Sequence, residues 1–201
     1  MAIITSFSRY NVLMLPVVNA LEALAQTLEA RGLSYELAAV GGSSLLLLGL
    51  IDRPTRDLDV IATVDADGYH AIRNLPPPLA ESVRDVGEVM GIGPDWLNTG
   101  PVGLLDFGLP EGFAERAEIR RFGALTLHLA SRVDQIALKL YAAADQGLAS
   151  KHMADLRALT PSAGELLNAA RWTRTHDPSP GFAQELCAIL GHLGVHTDVQ
   201  L

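Results

Sequence analysis

Apolar residues recur at helical spacing near the start of the chain and form short continuous runs after it. Leu21, Leu24 and Leu28 fall on one face of a 3.6-residue turn, so the spacing predicts a helix over 11–31 that ends at Gly32. Apolar runs over 35–40 and 58–63 predict two short buried strands. A helix over 43–50 separates these strands, and a turn at 53–55 follows it.

The rest of the pattern predicts a hairpin and several more helices. Alternation around Phe122-Gly123-Ala124 indicates strands over 117–121 and 125–129. Ser131 is a good N-cap for a helix that reaches Gln146. The other predicted helices cover 65–74, 79–90, 150–159, 162–175 and 181–192, and the Gly- and Pro-rich stretch 91–110 is predicted to be irregular.

This order of elements predicts an α+β (α/β) fold in two parts. Residues 1–130 are expected to form a mixed sheet with flanking helices. Residues 131–201 are expected to form a helical lobe. With 201 residues, nearly half of them apolar, the chain can bury a substantial core.

The charge is acidic overall and uneven along the chain. The net charge of −8 argues against a general nucleic-acid binder. Residues 1–115 carry six arginines and fifteen acids, whereas residues 116–174 carry nine basic residues and five acids. The basic segment is either a surface for a polyanion or a set of solvated helix faces. Trp172, with Arg171, Arg174 and His176, could stack on or bind RNA, or Trp172 could anchor the core of its helix.

Several features favour a cytoplasmic protein without a membrane partner. Cys187 is the only cysteine, which excludes an internal disulfide and a cysteine-rich zinc site. No cationic region precedes an apolar segment at the N-terminus, so no signal peptide is expected. The longest apolar run, Leu45–Ile51, is far shorter than the roughly 20 residues that a membrane span needs.

Two acidic residues at the start of the second strand predict a metal site. Asp57 and Asp59 alternate, so a strand presents both carboxylates on one face. Adjacent carboxylates repel unless a cation lies between them, and oxygen ligands favour Mg²⁺ or Mn²⁺. An exposed polar strand face is the alternative interpretation. The apolar run after Asp59 argues for the metal, because buried acids need a counter-charge.

A glycine pair precedes these acids by about a dozen residues. Gly41-Gly42-Ser43 opens the predicted 43–50 helix, and a glycine turn at a helix N-terminus is a place where phosphates bind. A glycine turn with a purely structural role is the alternative interpretation. With the acid pair, the turn predicts phosphoryl or nucleotidyl transfer.

The chain contains two lysines, Lys139 and Lys151, against thirteen arginines. Lys139 lies in an almost unbroken apolar segment, so it either snorkels from the core edge or faces an anion in a cleft. Antiparallel helices would bring it close to Asp155 on the next helix. An interhelical salt bridge with no further role explains that pair equally well.

Taken together, these residues resemble the minimal nucleotidyltransferases of the DNA polymerase β superfamily. That family combines a Gly-Gly/Ser turn with Asp-x-Asp on the next strand, as in Gly41-Gly42-Ser43 and Asp57-Leu58-Asp59. The helical Lys139 followed by Asp155 resembles the AbiE-type toxin branch. The resemblance covers roughly residues 36–160.

The resemblance implies a nucleotidyltransferase fold and a metal-dependent enzyme. It would move a nucleoside monophosphate from an NTP such as ATP to an acceptor hydroxyl, for example on tRNA, as the toxin of a toxin–antitoxin pair with a cognate antitoxin. A small-molecule, aminoglycoside-type nucleotidyltransferase and a nucleotide-binding protein without turnover are the alternatives.

The resemblance also assigns roles to individual residues. It implies that Asp57 and Asp59 hold Mg²⁺ (or Mn²⁺), and that Lys139 neutralises phosphate charge. Asp155 would orient that lysine or act as general base. The residues assigned to the nucleotide are Gly41, Gly42, Ser43 and Arg56. Many family members carry a third acid on a later strand, and this chain departs from that pattern, since neither Asp106 nor Glu118 is an obvious equivalent.

Overall fold

The computed structural model describes residues 3–55, 57–106 and 108–195, with side chains described from Pro16 onward except Val102. These residues form eight α-helices, a 3₁₀ helix and a six-stranded mixed sheet, which confirms the predicted α+β class. The strands are β1 (Tyr35–Val40), β2 (Leu58–Asp65), β3 (Gly68–Ala71), β4 (Leu97–Asn98), β5 (Glu118–Phe122) and β6 (Leu125–Leu129). The helices are α1 (Ile3–Ala30), α2 (Gly41–Leu47), α3 (Pro77–Met90), α4 (Phe113–Arg116), α5 (Arg132–Gln146), α6 (Lys151–Leu159), α7 (Ala163–His176) and α8 (Pro180–His192), with the 3₁₀ helix at Gly100–Leu105.

The chain forms two compact units. Unit 1 comprises Met1–Asp106 and Arg116–Ala130, and unit 2 comprises Phe107–Glu115 and Ser131–Leu201. Unit 1 contains the whole sheet, while unit 2 contains α5 to α8.

The sheet of unit 1 has the strand order β3-β2-β1-β6-β5, and β4 pairs with β2 beside that path. β1 runs antiparallel to β2 and parallel to β6. The register between β1 and β2 shifts between Ala38 and Ala39, and Val40 then pairs with Asp59. The register thus sets the end of β1 opposite the start of β2.

The core of unit 1 lies on the sheet face that α1 and α3 cover. Leu21, Leu24 and Leu28 of α1 are fully buried there, together with Leu37 and Leu127 of the sheet. This burial confirms the apolar stripe that predicted the first helix. Within the described residues, no helix combines the length and the apolarity that crossing a bilayer requires.

One predicted element is wrong. Residues 65–74 were expected to form a helix, but β2 continues to Asp65 and turns directly into β3. The Asp65 side chain accepts a hydrogen bond from the Asp67 amide at 2.8 Å, and Gly68 has φ = +117°. An Asp side chain that bonds the backbone two residues on, followed by a glycine with positive φ, makes a tight turn instead of a helix.

Unit 2 is a helical assembly around α5, which packs against α6, α7 and α8. Ser131, Ser150, Ser162 and Ser179 each cap a helix by accepting a bond from a backbone amide. The helices therefore begin at hydroxyl residues, as helix capping predicts.

Candidate functional site

The end of β1 brings a glycine against a carboxylate. Gly41 follows Val40 directly and has φ = +80°, a conformation that strains any residue with a Cβ. A Cβ at this position would lie 2.4 Å from Oδ2 of Asp59. Gly41 is therefore required twice, once for its backbone conformation and once for the space that the Asp59 carboxylate occupies.

Gly42 is confined by a different set of neighbours. A Cβ there would lie 2.8 Å from Cγ2 of Thr55 and 3.2 Å from Nη2 of Arg53. The turn before β2 thus packs directly on the bare backbone at the start of α2. Neither Thr55 nor Arg53 was singled out from the sequence, where they only marked a turn.

The Ser43 hydroxyl ties this turn to α2. Ser43 is buried, and its Oγ donates to the backbone oxygen of Asp57 at 2.5 Å. Because its single hydrogen is used in that bond, the 2.5 Å contact with Thr55 is one in which the Thr55 hydroxyl donates. The hydroxyl therefore positions Asp57, and phosphate binding by Ser43 stays a prediction.

The two acids occupy different environments. Asp57 is exposed and lies immediately before β2, whereas Asp59 is half-buried within β2, between Val40 of β1 and Asn98 of β4. The backbone amide of Leu58 donates to the Trp96 oxygen at 2.6 Å, which fixes the start of the strand. Arg56 lies outside the described residues.

No third acid joins the pair among the described residues, which hold no cluster of three His, Cys, Asp or Glu side chains able to bind a metal ion. The Asp106 carboxylate accepts hydrogen bonds from the Arg73 guanidinium at 2.9 and 3.1 Å. Glu118 is on β5, three strands from β2, so its backbone lies about 14 Å from that of Asp59. Glu118 is also in register with Leu129, and the Leu129 side chain lies in the core of unit 1.

The strand next to β1 carries a histidine on the face of Asp59. His128 of β6 is in register with Ala38, which shares a face with Val40 and its partner Asp59. Both ring nitrogens of His128 are engaged, one with the Tyr69 hydroxyl at 3.1 Å and the other with the Glu36 carboxylate at 2.9 Å. This three-residue network was not predicted, because its members come from three separate strands.

In unit 2 the structure brings Lys139 and Asp155 together, as predicted. Lys139 Nζ lies 2.8 Å from Asp155 Oδ2, and the two side chains are 5% and 1% exposed. One helical turn earlier, Gln135 is fully buried, and neither atom of its amide has a hydrogen-bond partner within the described part of the chain. The interior of unit 2 therefore holds an ion pair between α5 and α6 and, one turn away on α5, an amide without a partner among the described residues.

The arginines of the basic segment mostly bind the protein itself. Arg174 donates to the backbone oxygens of Asp177, Pro178 and Ser179 at 2.6 to 2.9 Å, which joins the end of α7 to the start of α8. Arg171 donates to the Asn168 side chain at 2.7 Å.

Other members of the basic segment also have partners within unit 2. Arg132 binds the Glu165 carboxylate and the Leu159 oxygen. The Trp172 ring packs against Tyr141 and His176, with ring centroids 6.4 and 4.2 Å apart. These contacts favour the core interpretation of Trp172.

A pocket of about 290 Å³ lies beside Ser43 and Asp57 in unit 1. Its walls come from α1, from the turn before β2 and from the segment that follows α3. Ser43 and Asp57 belong to the two sequence motifs, but the remaining walls come from distant segments of the chain, so the pocket itself was not predicted.

Comparison with known proteins adds no assignment, since no protein-family model, curated protein or solved structure matches this chain.

Proposed function

We propose that the chain is a metal-dependent nucleotidyltransferase, which transfers a nucleoside monophosphate from an NTP to an acceptor hydroxyl. The observation that carries this proposal is the contact of the Asp59 carboxylate with the bare backbone of Gly41. A glycine turn at the start of a helix and a carboxylate for a cation are the two halves of a metal–triphosphate site.

The donor set suits Mg²⁺. This ion binds proteins through one or two carboxylates and takes its remaining ligands from water and substrate phosphates. Asp57 and Asp59 would hold it, and a third acid is not needed if phosphate oxygens complete the shell. When bound, Mg²⁺ supplies neutralisation of the charge that develops on the transferring phosphoryl group.

The chain's own residues would bind and orient the triphosphate. Gly41 makes room for the Asp59 carboxylate beside the turn, and Ser43 would maintain the position of Asp57. The hydrogen bond from Ser43 to Asp57 supports a positioning role for that hydroxyl. The roles implied for Lys139 and Asp155 stay predictions. Their 2.8 Å ion pair supports a role for Asp155 in orienting the lysine.

The test is transfer from each labelled NTP in the presence of Mg²⁺, with total RNA and small hydroxy compounds as acceptors. Asp59→Ala is expected to lower transfer at least about a thousandfold, because a metal ion contributes several kcal/mol of transition-state stabilisation. Asp67→Ala removes an exposed carboxylate beyond the other end of β2 and should leave transfer within about twofold.

Two results would contradict the proposal. One is equal transfer by the wild type and Asp59→Ala, and the other is transfer that persists after removal of divalent metal with EDTA. Binding of NTP and Mg²⁺ with no pyrophosphate release on any acceptor would favour the alternative of a binding protein without turnover.

A further inference from the structure

β5 (Glu118–Phe122) is the end strand of the sheet, since among the described residues it pairs only with β6. No backbone hydrogen bond from elsewhere in the described chain reaches its other side. Glu118, Arg120 and Arg121 of this strand are exposed. A strand with unpaired N–H and C=O groups is a template on which a further strand can form.

The hairpin loop determines which backbone groups of β5 face the open side. Phe122 pairs with Leu125 across a two-residue loop that begins at Gly123, where φ is +54°. The residues on either side of such a loop form a hydrogen-bonded pair, and hydrogen-bonded pairs alternate along an antiparallel ladder. Phe122 and every second residue before it therefore bond β6. The N–H and C=O groups of Ile119 and Arg121 point to the open side.

The side chains of β5 carry opposite charges two residues apart. Glu118 and Arg120 lie on the same face of the strand, with Oε2 and Nη2 3.6 Å apart, and their side chains are 52% and 46% exposed. An ion pair this exposed contributes little by itself, so both groups can exchange it for another partner. Ile119 lies between them on the other face and is partly buried. The strand therefore presents an acidic, an apolar and a basic residue in succession.

A second copy of β5 fits this edge in a single register. Two identical strands related by a two-fold axis pair antiparallel, and the residue on the axis faces its own copy. An axis between two residues would set an outward-pointing backbone group against one that is bonded to β6, so no ladder would form. An axis at Glu118, Arg120 or Arg121 places like charges directly opposite each other, which is destabilising.

The axis at Ile119 has neither fault. It joins the outward N–H and C=O groups of Ile119 to those of the partner's Ile119 in a hydrogen-bonded pair. On each side of the axis Glu118 then lies opposite the partner's Arg120, and opposite charges in this position attract. An axis at Phe122, the remaining position, overlaps only the last residues of the strand.

We propose that β5 is a dimerisation surface, on which the β5 strand of a second copy pairs antiparallel with the two-fold axis at Ile119. The two sheets then continue into each other. This pairing does not depend on the proposed activity. A pair of five-residue strands is a small interface, so we expect association in the micromolar range.

Sedimentation velocity of the full chain at increasing concentration is the first test. Glu118→Arg and Arg120→Glu each turn both ionic contacts of the dimer into like-charge contacts, so each should weaken association at least about tenfold. The double variant Glu118→Arg/Arg120→Glu restores opposite charges and should return to within about threefold of the wild type.

Arg121→Glu is the matched control for these variants. It makes the same charge change as Arg120→Glu, but on the other face of β5 and opposite the neutral Ala117 of the partner subunit. Association of this variant should stay within about threefold of the wild type. Thermal melts verify that every variant is folded.

Disulfide cross-linking tests the register directly. Cys187, the only cysteine, is first replaced by serine. In that background Ile119→Cys should form a disulfide-linked dimer under mild oxidation, because the Cα atoms of a hydrogen-bonded pair are about 5.5 Å apart. Arg121→Cys should form none, since an offset of four residues separates its two copies by about 14 Å along the strands.

Three results overturn the inference. The first is a chain that stays monomeric at every concentration, which would leave the open edge to a strand of a different protein. The second is association that neither Glu118→Arg nor Arg120→Glu weakens, or that the double variant does not restore. The third is cross-linking of Arg121→Cys as readily as Ile119→Cys, which would indicate a different register.

Discussion

The Gly41–Asp59 contact of unit 1 and the Lys139–Asp155 pair of unit 2 place charged side chains in two different environments. Asp59 is half-buried beside a glycine at the sheet end, while the exposed Asp57 precedes it in the chain. Lys139 and Asp155 neutralise each other inside a helical assembly. The first arrangement is the metal site proposed above, whereas the second pairs two opposite charges in the interior.

This difference predicts that substitutions in unit 1 and unit 2 affect different properties of the protein. Loss of an acid in unit 1 should reduce metal and nucleotide binding more than stability. Loss of one partner of the buried pair in unit 2 should reduce stability directly, since it leaves an uncompensated charge in the interior.

The largest stability effect is expected for the buried pair. Lys139→Met or Asp155→Asn alone should lower the free energy of unfolding by about 3–5 kcal/mol, because each leaves the other group buried without a counter-charge. Chemical denaturation of each variant measures this effect.

The double variant Lys139→Met/Asp155→Asn is the control for that experiment. It should recover much of the lost stability, because replacing both members of a buried pair is often close to neutral. If the losses of unfolding free energy add up in the double variant, the two side chains do not act as a pair, and the contrast with unit 1 is contradicted.

Gly41→Ala should have an intermediate effect on stability and a strong one on metal binding. A non-glycine residue at φ = +80° costs about 1–3 kcal/mol, and the new Cβ would displace the Asp59 carboxylate from its position. Denaturation and Mn²⁺ binding measure the two effects.

Gly123→Ala serves as the control for Gly41→Ala. This glycine also has a positive φ, but the atoms closest to a Cβ there are ordinary contacts at 3.7 and 4.0 Å. It should lose stability and retain Mn²⁺ binding. Equal Mn²⁺ affinity in Gly41→Ala and the wild type would show that the carboxylate position does not matter.

The smallest effect is a pH dependence within unit 2. The hydrogen bond from Arg132, followed by that from the Ser162 amide, lowers the pKa of Glu165 from 4.5 to about 2. A lowered pKa stabilises the folded state above the unfolded value of 4.5, and this stability is lost as the pH falls from 4.5 towards 2. Because the pair is partly solvated, its contribution is about 1 kcal/mol.

Glu165→Gln tests this contribution. The difference in unfolding free energy between wild type and variant should be present at pH 6 and shrink as the pH approaches 2. A difference that is constant over this range would mean that the ion pair does not contribute to stability.

Local rules predicted much of the fold and part of the site. The strands at 35–40 and 125–129 and the helix after Ser131 were predicted from apolar runs, turn residues and caps, which act over a few residues. The helix expected over 65–74 failed for a local reason as well, since the Asp65 side chain and Gly68 favour a turn.

What the sequence could not provide are contacts between distant segments. Thr55 and Arg53 read as turn residues, and only the packed turn shows them against Gly42. From the sequence, a third carboxylate could come only from Glu118 or Asp106. In the structure, the strand order separates Glu118 from Asp59, and Asp106 accepts a hydrogen bond from Arg73.

By itself, the sequence determined the class of the fold, the glycine turn followed by an acid pair, and the two charged residues of the helical unit. These three features depend on residue type and on short spacings along the chain, and both can be read directly from the sequence. Only the tertiary structure decided that Gly41 touches Asp59, that Lys139 and Asp155 are buried together, and that an apolar pocket lies beside Asp57. Register and helix packing bring such groups together, and both are properties of the folded chain as a whole.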